Sequence, residues 1–235
     1  MRRPLARTVT TFAMLAIAGC QSTGYRGADA FAPQPGDLLF QDLDCGPLCD
    51  AIETVTQGVD GAHFSHVGIV SRTDGREPLV IEAVSAGVRE TTLSEFLARS
   101  KDAAGNPKVL VGRLDDTHRP LIPEALRVAN SFLNAPYDGV YAIDNSSLYC
   151  SELVYEAFRQ ANENRPVFAL HPMTFKDPQT GEFFPPWVEY YASLGVSIPE
   201  GQPGLNPGSI SREPVVQVVH AYGRPEGWQR KAATR

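Results

Sequence analysis

Tyr149-Cys150-Ser151-Glu152-Leu153-Val154-Tyr155-Glu156-Ala157-Phe158-Arg159-Gln160-Ala161 is the stretch on which the fold of this chain turns. Counting from Cys150, apolar residues recur at offsets of 3, 4, 7, 8 and 11 (Leu153, Val154, Ala157, Phe158, Ala161), the spacing of one helical face. Cys150 therefore belongs to the buried face of a helix over residues 150–161, in its first turn. A thiol there meets the positive end of the helix dipole and backbone N–H groups with no intrahelical partner. Both favour thiolate, the nucleophilic form. Those N–H groups are also suited to hold the oxyanion formed when a thiolate attacks a carbonyl. Asp144-Asn145-Ser146-Ser147, just upstream, offers capping side chains for the helix start. The competing reading is a small cysteine packed against a sheet.

A thiol nucleophile needs a base, and there are five histidines: His63, His66, His118, His171 and His220. His66 lies in Phe64-Ser65-His66-Val67-Gly68-Ile69-Val70, a β-branched, apolar run that reads as a strand, with Gly68 permitting close backbone approach. His63, three residues earlier, falls on the opposite face by strand alternation. A histidine on a core strand calls for a polar partner, and a carboxylate would orient the ring and stabilise imidazolium. Glu82 is an acid among apolar residues in the neighbouring run Val80-Ile81-Glu82-Ala83. It fits that role, or else a strand-edge charge facing water.

Working outward, Pro35-Gly36-Asp37 is a turn that leads into a strand, Leu38-Leu39-Phe40. A short helix is expected over residues 48–56. Strands are expected over 64–70 and 79–84, antiparallel neighbours across Asp74-Gly75. A short helix over 93–98, a strand over 108–114 and a helix over 123–133 follow, the last opened by Pro123. Residues 165–207 are rich in Pro, Gly and aromatics, and read as a covering segment with a short helix over 187–194. A last strand over 214–221 closes the sheet. Strands with packed helices and no βαβ rhythm indicate an α+β fold.

The N-terminus reads as an export signal. Arg2, Arg3 and Arg7 precede a short apolar core, and Ile17-Ala18-Gly19 leads directly into Cys20. The core is shorter than the roughly 20 apolar residues a membrane span requires. The small residues before Cys20 resemble a bacterial lipobox, the alternative being an ordinary secretory signal with a chance cysteine. Residues 1–19 then form a lipoprotein signal, Cys20 is lipidated, and 20–34 tether a domain over 35–235. Gln21 after Cys20 resembles the outer-membrane pattern. Cleavage removes three arginines and no acid, taking the formal charge from −6 to −9. That disfavours nucleic acid and leaves the lipid as the membrane anchor. In an oxidising compartment the remaining thiols are Cys45, Cys49 and Cys150. A Cys45–Cys49 disulfide is the favoured reading, with a metal site as the alternative, and it leaves Cys150 free.

Pro136-Tyr137-Asp138 followed by Tyr149-Cys150-Ser151-Glu152-Leu153-Val154-Tyr155 resembles the nucleophile region of NlpC-type papain-fold peptidases. The resemblance is closer to their circularly permuted branch, the YiiX/YebB-like family, in which the His strand precedes the Cys helix as it does here. Pro35-Gly36-Asp37-Leu38-Leu39-Phe40, Ser65-His66-Val67-Gly68-Ile69 and Ile81-Glu82-Ala83 match the opening turn, the His strand and the third-member position. The match spans roughly residues 35–160 and the final strand. It implies a permuted papain-like fold with Cys150 as nucleophile, His66 as base and Glu82 as orienting acid; no cofactor is expected, since neither His63 nor His118 is spaced to complete a metal site with Cys45 and Cys49. Tyr137 and Tyr149 become candidate oxyanion or substrate contacts, the alternative for Tyr137 being simple packing after Pro136.

Three functions follow: hydrolysis of peptide or peptidoglycan-stem amides, acyl-lipid chemistry like that of the lecithin:retinol acyltransferase group, or a binding module without catalysis. Stem peptides call for charged groups around the cleft, for which Arg89, Arg159 and Arg165 are candidates. Acyl chains call for an apolar trench, for which Phe183, Phe184 and Trp187 are candidates. Amide hydrolysis is the favoured reading.

Overall fold

Strand β1 (Leu38–Gln41) buries all four of its side chains, as a strand in the middle of a sheet must. It pairs antiparallel with β2 (His66–Arg72) on one side and β5 (Val109–Leu114) on the other. From β2 the chain turns back as β3 (Leu79–Val84) and again as β4 (Gly87–Thr92), while β8 (Val216–Ala221) closes the far edge beside β5. The sheet is therefore six-stranded, all antiparallel, in the order β4-β3-β2-β1-β5-β8. A two-stranded pair, β6 (His171–Pro172) with β7 (Pro203–Gly204), lies outside it. This computed structural model describes residues 31–75, 77–143 and 146–229. The expected signal peptide, Cys20 and most of the tether lie outside the described residues.

The helices are α1 (Pro47–Val55), α2 (Leu93–Ala98), α3 (Ile122–Ser131), α4 (Cys150–Ala161), α5 (Pro185–Leu194) and α6 (Pro207–Ser211). Helix α4 packs on β2, β3 and α3. Its Leu153, Val154, Ala157 and Phe158 join Phe40, Val67, Ile69 and Ile81 in one buried cluster. Truncating a fully buried leucine such as Leu153 to alanine costs about 2–5 kcal/mol, so this face fixes where the helix begins and hence where Cys150 sits. The described residues from 33 to 229 form a single unit, an α+β arrangement of one antiparallel sheet with helices packed on it.

Helices α2 and α4 and strand β3 match their expected limits, and the other expected elements shift by one to two residues at an end. Strand β4 was not expected. Its Arg89 and Glu90 are exposed, so an edge strand carries no apolar run to announce it. The capping expectation is corrected: the N-cap of α4 is Tyr149, in extended conformation, and no side chain caps the helix. Asp144 and Asn145 lie outside the described residues.

Candidate active site

Cys150 opens α4 and is buried, the free cysteine of the described residues. His66 opens β2, directly opposite Gln41 of β1. The thiol is hydrogen-bonded to the imidazole and also engages the backbone of Val67 and, at 3.9 Å, the Ser151 hydroxyl. Glu82 Oε2 lies 2.8 Å from His66 Nε2, which leaves Nδ1 to face the sulfur. The structure thus brings Cys150, His66 and Glu82 into one chain of contacts. Strand alternation places Glu82 opposite Ile81 and Ala83, which face the core under α4.

Glu82 is completely buried, so its charge must be matched. Both guanidinium ends of Arg99 donate to its two oxygens, and the Thr91 hydroxyl donates to Oε1 at 2.5 Å. Burial opposes the charged form, but the bonds from Arg99, His66 and Thr91 outweigh it and hold the carboxyl well below the usual range. For His66 burial again opposes charge, yet the Cys150 and Glu82 contacts raise its pKa to about 9. Burial pushes the Cys150 thiol up, while the His66 hydrogen bond and charge push it further down, for a net lowering. The arrangement favours a thiolate–imidazolium pair at neutral pH, one whose titration belongs to the pair.

Helix α2 supports this pair from behind. Phe96 stacks on the His66 ring with centroids 5.7 Å apart, and its carbonyl accepts from Gln41 Nε2 at 2.7 Å. Arg99, one turn later, lies over the Phe96 ring at 5.2 Å while clamping Glu82. Gly68 permits the approach: a Cβ there would sit 2.6 Å from Val80 Cγ1 and 3.0 Å from Phe96 Cε2. Arg99, Thr91 and Phe96 escaped the sequence reading because the β3–β4 register and the turn into α2 bring the first two to Glu82 and the third to His66.

The thiol opens into a pocket of about 230 Å³. Tyr137 and Tyr149 both line it. Tyr137 is held by a parallel bridge to Leu148 just before α4, and the Tyr149 hydroxyl accepts from the Leu205 N–H at 3.4 Å. Tyr141 was also missed. It has a left-handed φ of 61° and makes ring contacts with Tyr137, Tyr149, Trp187 and Tyr190. The buried Asp138 shapes this loop by accepting the N–H groups of Val140 and Ala142. Helix α5 clamps it through Tyr190 OH to the Gly139 carbonyl at 2.7 Å and Tyr191 OH to the Val140 carbonyl at 3.2 Å. The covering segment therefore builds one wall of the pocket.

Several candidates are placed elsewhere. Arg89, Arg159 and Arg165 pair with Glu82, Glu156 and Glu163, and none lines the pocket. Of the aromatic candidates, Trp187 lines it, whereas Phe183 and Phe184 do not. His63 bonds through its N–H to the Glu226 carbonyl, ahead of β2. His118 pairs with Asp115, His220 packs on Tyr222, and His171 stands on the pocket wall. Cys45 and Cys49 are joined in a disulfide, Cα–Cα 5.5 Å, at the start of α1. Among the described residues, no three His, Cys, Asp or Glu side chains form a set suited to a metal ion.

Comparison with known proteins agrees with this fold. The YiiX protein of Escherichia coli (strain K12) is 27% identical over 134 residues, which span 57% of this chain and 61% of that protein. A crystal structure of YiiX from Escherichia coli O157:H7, described as a metalloprotein, superposes with a TM-score of 0.66 over 83% of this chain and 100% of that one. At 23% identity that likeness speaks to the fold alone. The model of the permuted papain-like amidase enzymes, YaeF/YiiX, C92 family, matches residues 32–220. The chain, with its antiparallel sheet and its thiol at a helix start, belongs to this family of papain-like cysteine amidases.

Proposed function

We propose that the protein hydrolyses amide bonds of peptides or peptidoglycan stems through a Cys150 thioester, beside a bacterial membrane to which a lipid on Cys20 anchors it. The contact chain Cys150–His66–Glu82, ending in a fully buried carboxylate held by Arg99, is the observation that carries this reading. In it the Cys150 thiolate attacks the amide carbonyl carbon. The oxyanion is held by backbone N–H groups at the uncapped start of α4, with Tyr137 beside it. His66 gives its proton to the departing amine as the C–N bond breaks, leaving a thioester. It then takes a proton from water, whose oxygen attacks the thioester carbonyl, and keeps that proton as the C–S bond breaks and the acid leaves, which restores the thiolate–imidazolium pair. Glu82 orients the ring and stabilises imidazolium throughout.

The aromatic and aliphatic wall of the pocket, with Tyr141, Trp187, Phe175 and Leu205, favours a second reading in which the acyl part is apolar, as in an acyl lipid. Intact-mass analysis during turnover separates the two. Peptide amides should leave an acyl adduct on the wild-type protein with release of the amine, and Cys150→Ala should carry none. Adducts from long-chain esters but not from peptides would move the assignment to acyl-lipid chemistry. Labelled palmitate should be incorporated in cells by the natural chain and not by Cys20→Ser.

A further inference from the structure

The pocket beside Cys150 runs alongside a second depression, and the two share Val55, Thr174 and Arg212. Arg212 stands at this junction as the one Lys or Arg of the catalytic pocket's lining, and Lys176 lines the second depression. Most described cations of this chain are tied to carboxylates, including Arg99, Arg113, Arg127 and Lys108. Arg212 and Lys176 have no ion-pair partner among the described residues. Lys176 Nζ instead lies 5.1 Å above the Phe183 ring.

The nearby acids are engaged with the chain itself. Asp177 Oδ1 accepts the N–H groups of Gln179 and Thr180, Glu200 accepts the Thr174 hydroxyl and the Phe175 N–H, and Glu213 accepts the Ala169 N–H. Arg212 is also firmly rooted. It follows α6, whose start carries a reciprocal Asn206–Ser209 capping box. Gly208 of that helix lies so close to the end of α1 that a Cβ would meet the Thr56 carbonyl oxygen at 2.2 Å. The Ser211 hydroxyl takes the Val59 N–H at 2.9 Å. An unpaired, exposed guanidinium carried on a rooted backbone beside a groove leading from a nucleophile, in a chain of formal charge −6, has the chemistry of a carboxylate receptor.

We infer that Arg212, assisted by Lys176, is a specificity-determining subsite that selects amide substrates carrying a free carboxylate away from the scissile bond. The apolar wall takes the group next to the carbonyl, and Arg212 takes the anionic end. This inference rests on Cys150 being the nucleophile and adds the substrate class to that reading.

The test alkylates Cys150 in the intact domain with chloroacetyl-phenylalanyl-alanine, as the free acid and as the carboxamide. Each reagent becomes bonded to sulfur through its chloroacetyl methylene carbon as the C–Cl bond breaks and chloride leaves. Because Arg212 is exposed, its preference for the acid should be modest, about fivefold in second-order rate, and should shrink with added salt. Arg212→Gln should bring the acid-to-amide ratio close to one, Lys176→Gln should lower it partly, and Arg212→Lys should keep most of it. Equal rates in the wild type, or an undiminished ratio in the double Arg212→Gln, Lys176→Gln variant, would overturn the subsite while leaving the thiol reading intact. A Cys150 inert to both reagents would overturn the thiol reading and the subsite with it.

Discussion

Replacing Glu82 by glutamine keeps the shape of the side chain and removes one buried negative charge. The His66 Nε2 to Glu82 Oε2 distance is 2.8 Å, which puts the centres of charge roughly 4 Å apart. At an effective dielectric constant of about 20 that attraction is worth about 4 kcal/mol. The substitution also leaves Arg99 as an unbalanced cation near the ring, which opposes imidazolium in the same sense. A loss of this size corresponds to about 3 pKa units, and relaxation of Arg99 toward solvent should reduce it to about 2. The His66 pKa, about 9 in the native protein, should then fall toward or below its ordinary value. Without imidazolium beside it, the thiolate should form only at a pH higher by a similar amount. Titration of the thiolate ultraviolet absorbance, run together with circular dichroism, reads this directly. At pH 6 the variant should show about a hundredfold less thiolate reactivity while remaining folded. A folded Glu82→Gln protein with an unshifted thiolate titration would refute the argument that the buried carboxylate polarises the pair.

Arg99→Met should destabilise the fold by about 3 kcal/mol, the lower end for breaking a buried pair, because Glu82 loses its principal partner; urea unfolding measures this. Gly68→Ala forces a methyl onto Val80 and Phe96 and should cost about 1–3 kcal/mol, with slower Cys150 alkylation as Phe96 is pushed from the His66 ring. Glu53 of α1 is buried against Ser65 and its pKa rises to about 7, burial being the cause that outweighs the Ser65 hydrogen bond. Its native form keeps a proton that the unfolded chain has lost, so its contribution to stability declines from about pH 4.5 to pH 7. Glu53→Gln should therefore raise Tm at pH 8 and make little difference at pH 4.5, as calorimetry at the two values will show. Reducing the Cys45–Cys49 disulfide should cost about 2 kcal/mol in the loop-entropy description, read as a drop in Tm on adding reductant.

The sequence carried the nucleophile helix plainly, because five apolar positions at helical spacing leave one place for Cys150. It carried the His66 strand almost as well, since β2 is an apolar run in the middle of a sheet. Glu82 was visible as an anomaly, an acid inside a buried strand, though nothing local said what balanced it. Arg99 lies 17 residues away in sequence, in a helix reached through an edge strand whose exposed Arg89 and Glu90 hide it. The loop around Tyr141 was illegible for a related reason: its shape depends on Asp138 accepting backbone N–H groups and on Tyr190 and Tyr191 arriving from a segment without motifs. Arg159 and Arg165 looked available for substrate because sequence does not reveal that each already faces a glutamate. The α4 cap was misread because the Asp144–Ser147 run suggested a side-chain cap where the helix start has none.

The central claim is that Cys150 and His66 form a working thiolate–imidazolium pair. Its most direct test is the pH dependence of Cys150 alkylation by iodoacetamide, with and without His66→Ala. An ordinary thiol titrates near pH 8.5, and a His-paired one several units lower. Rapid reaction at pH 6 that disappears in His66→Ala is the predicted result. Slow reaction at pH 6 in the native protein, or a profile that His66→Ala leaves unchanged, would contradict it.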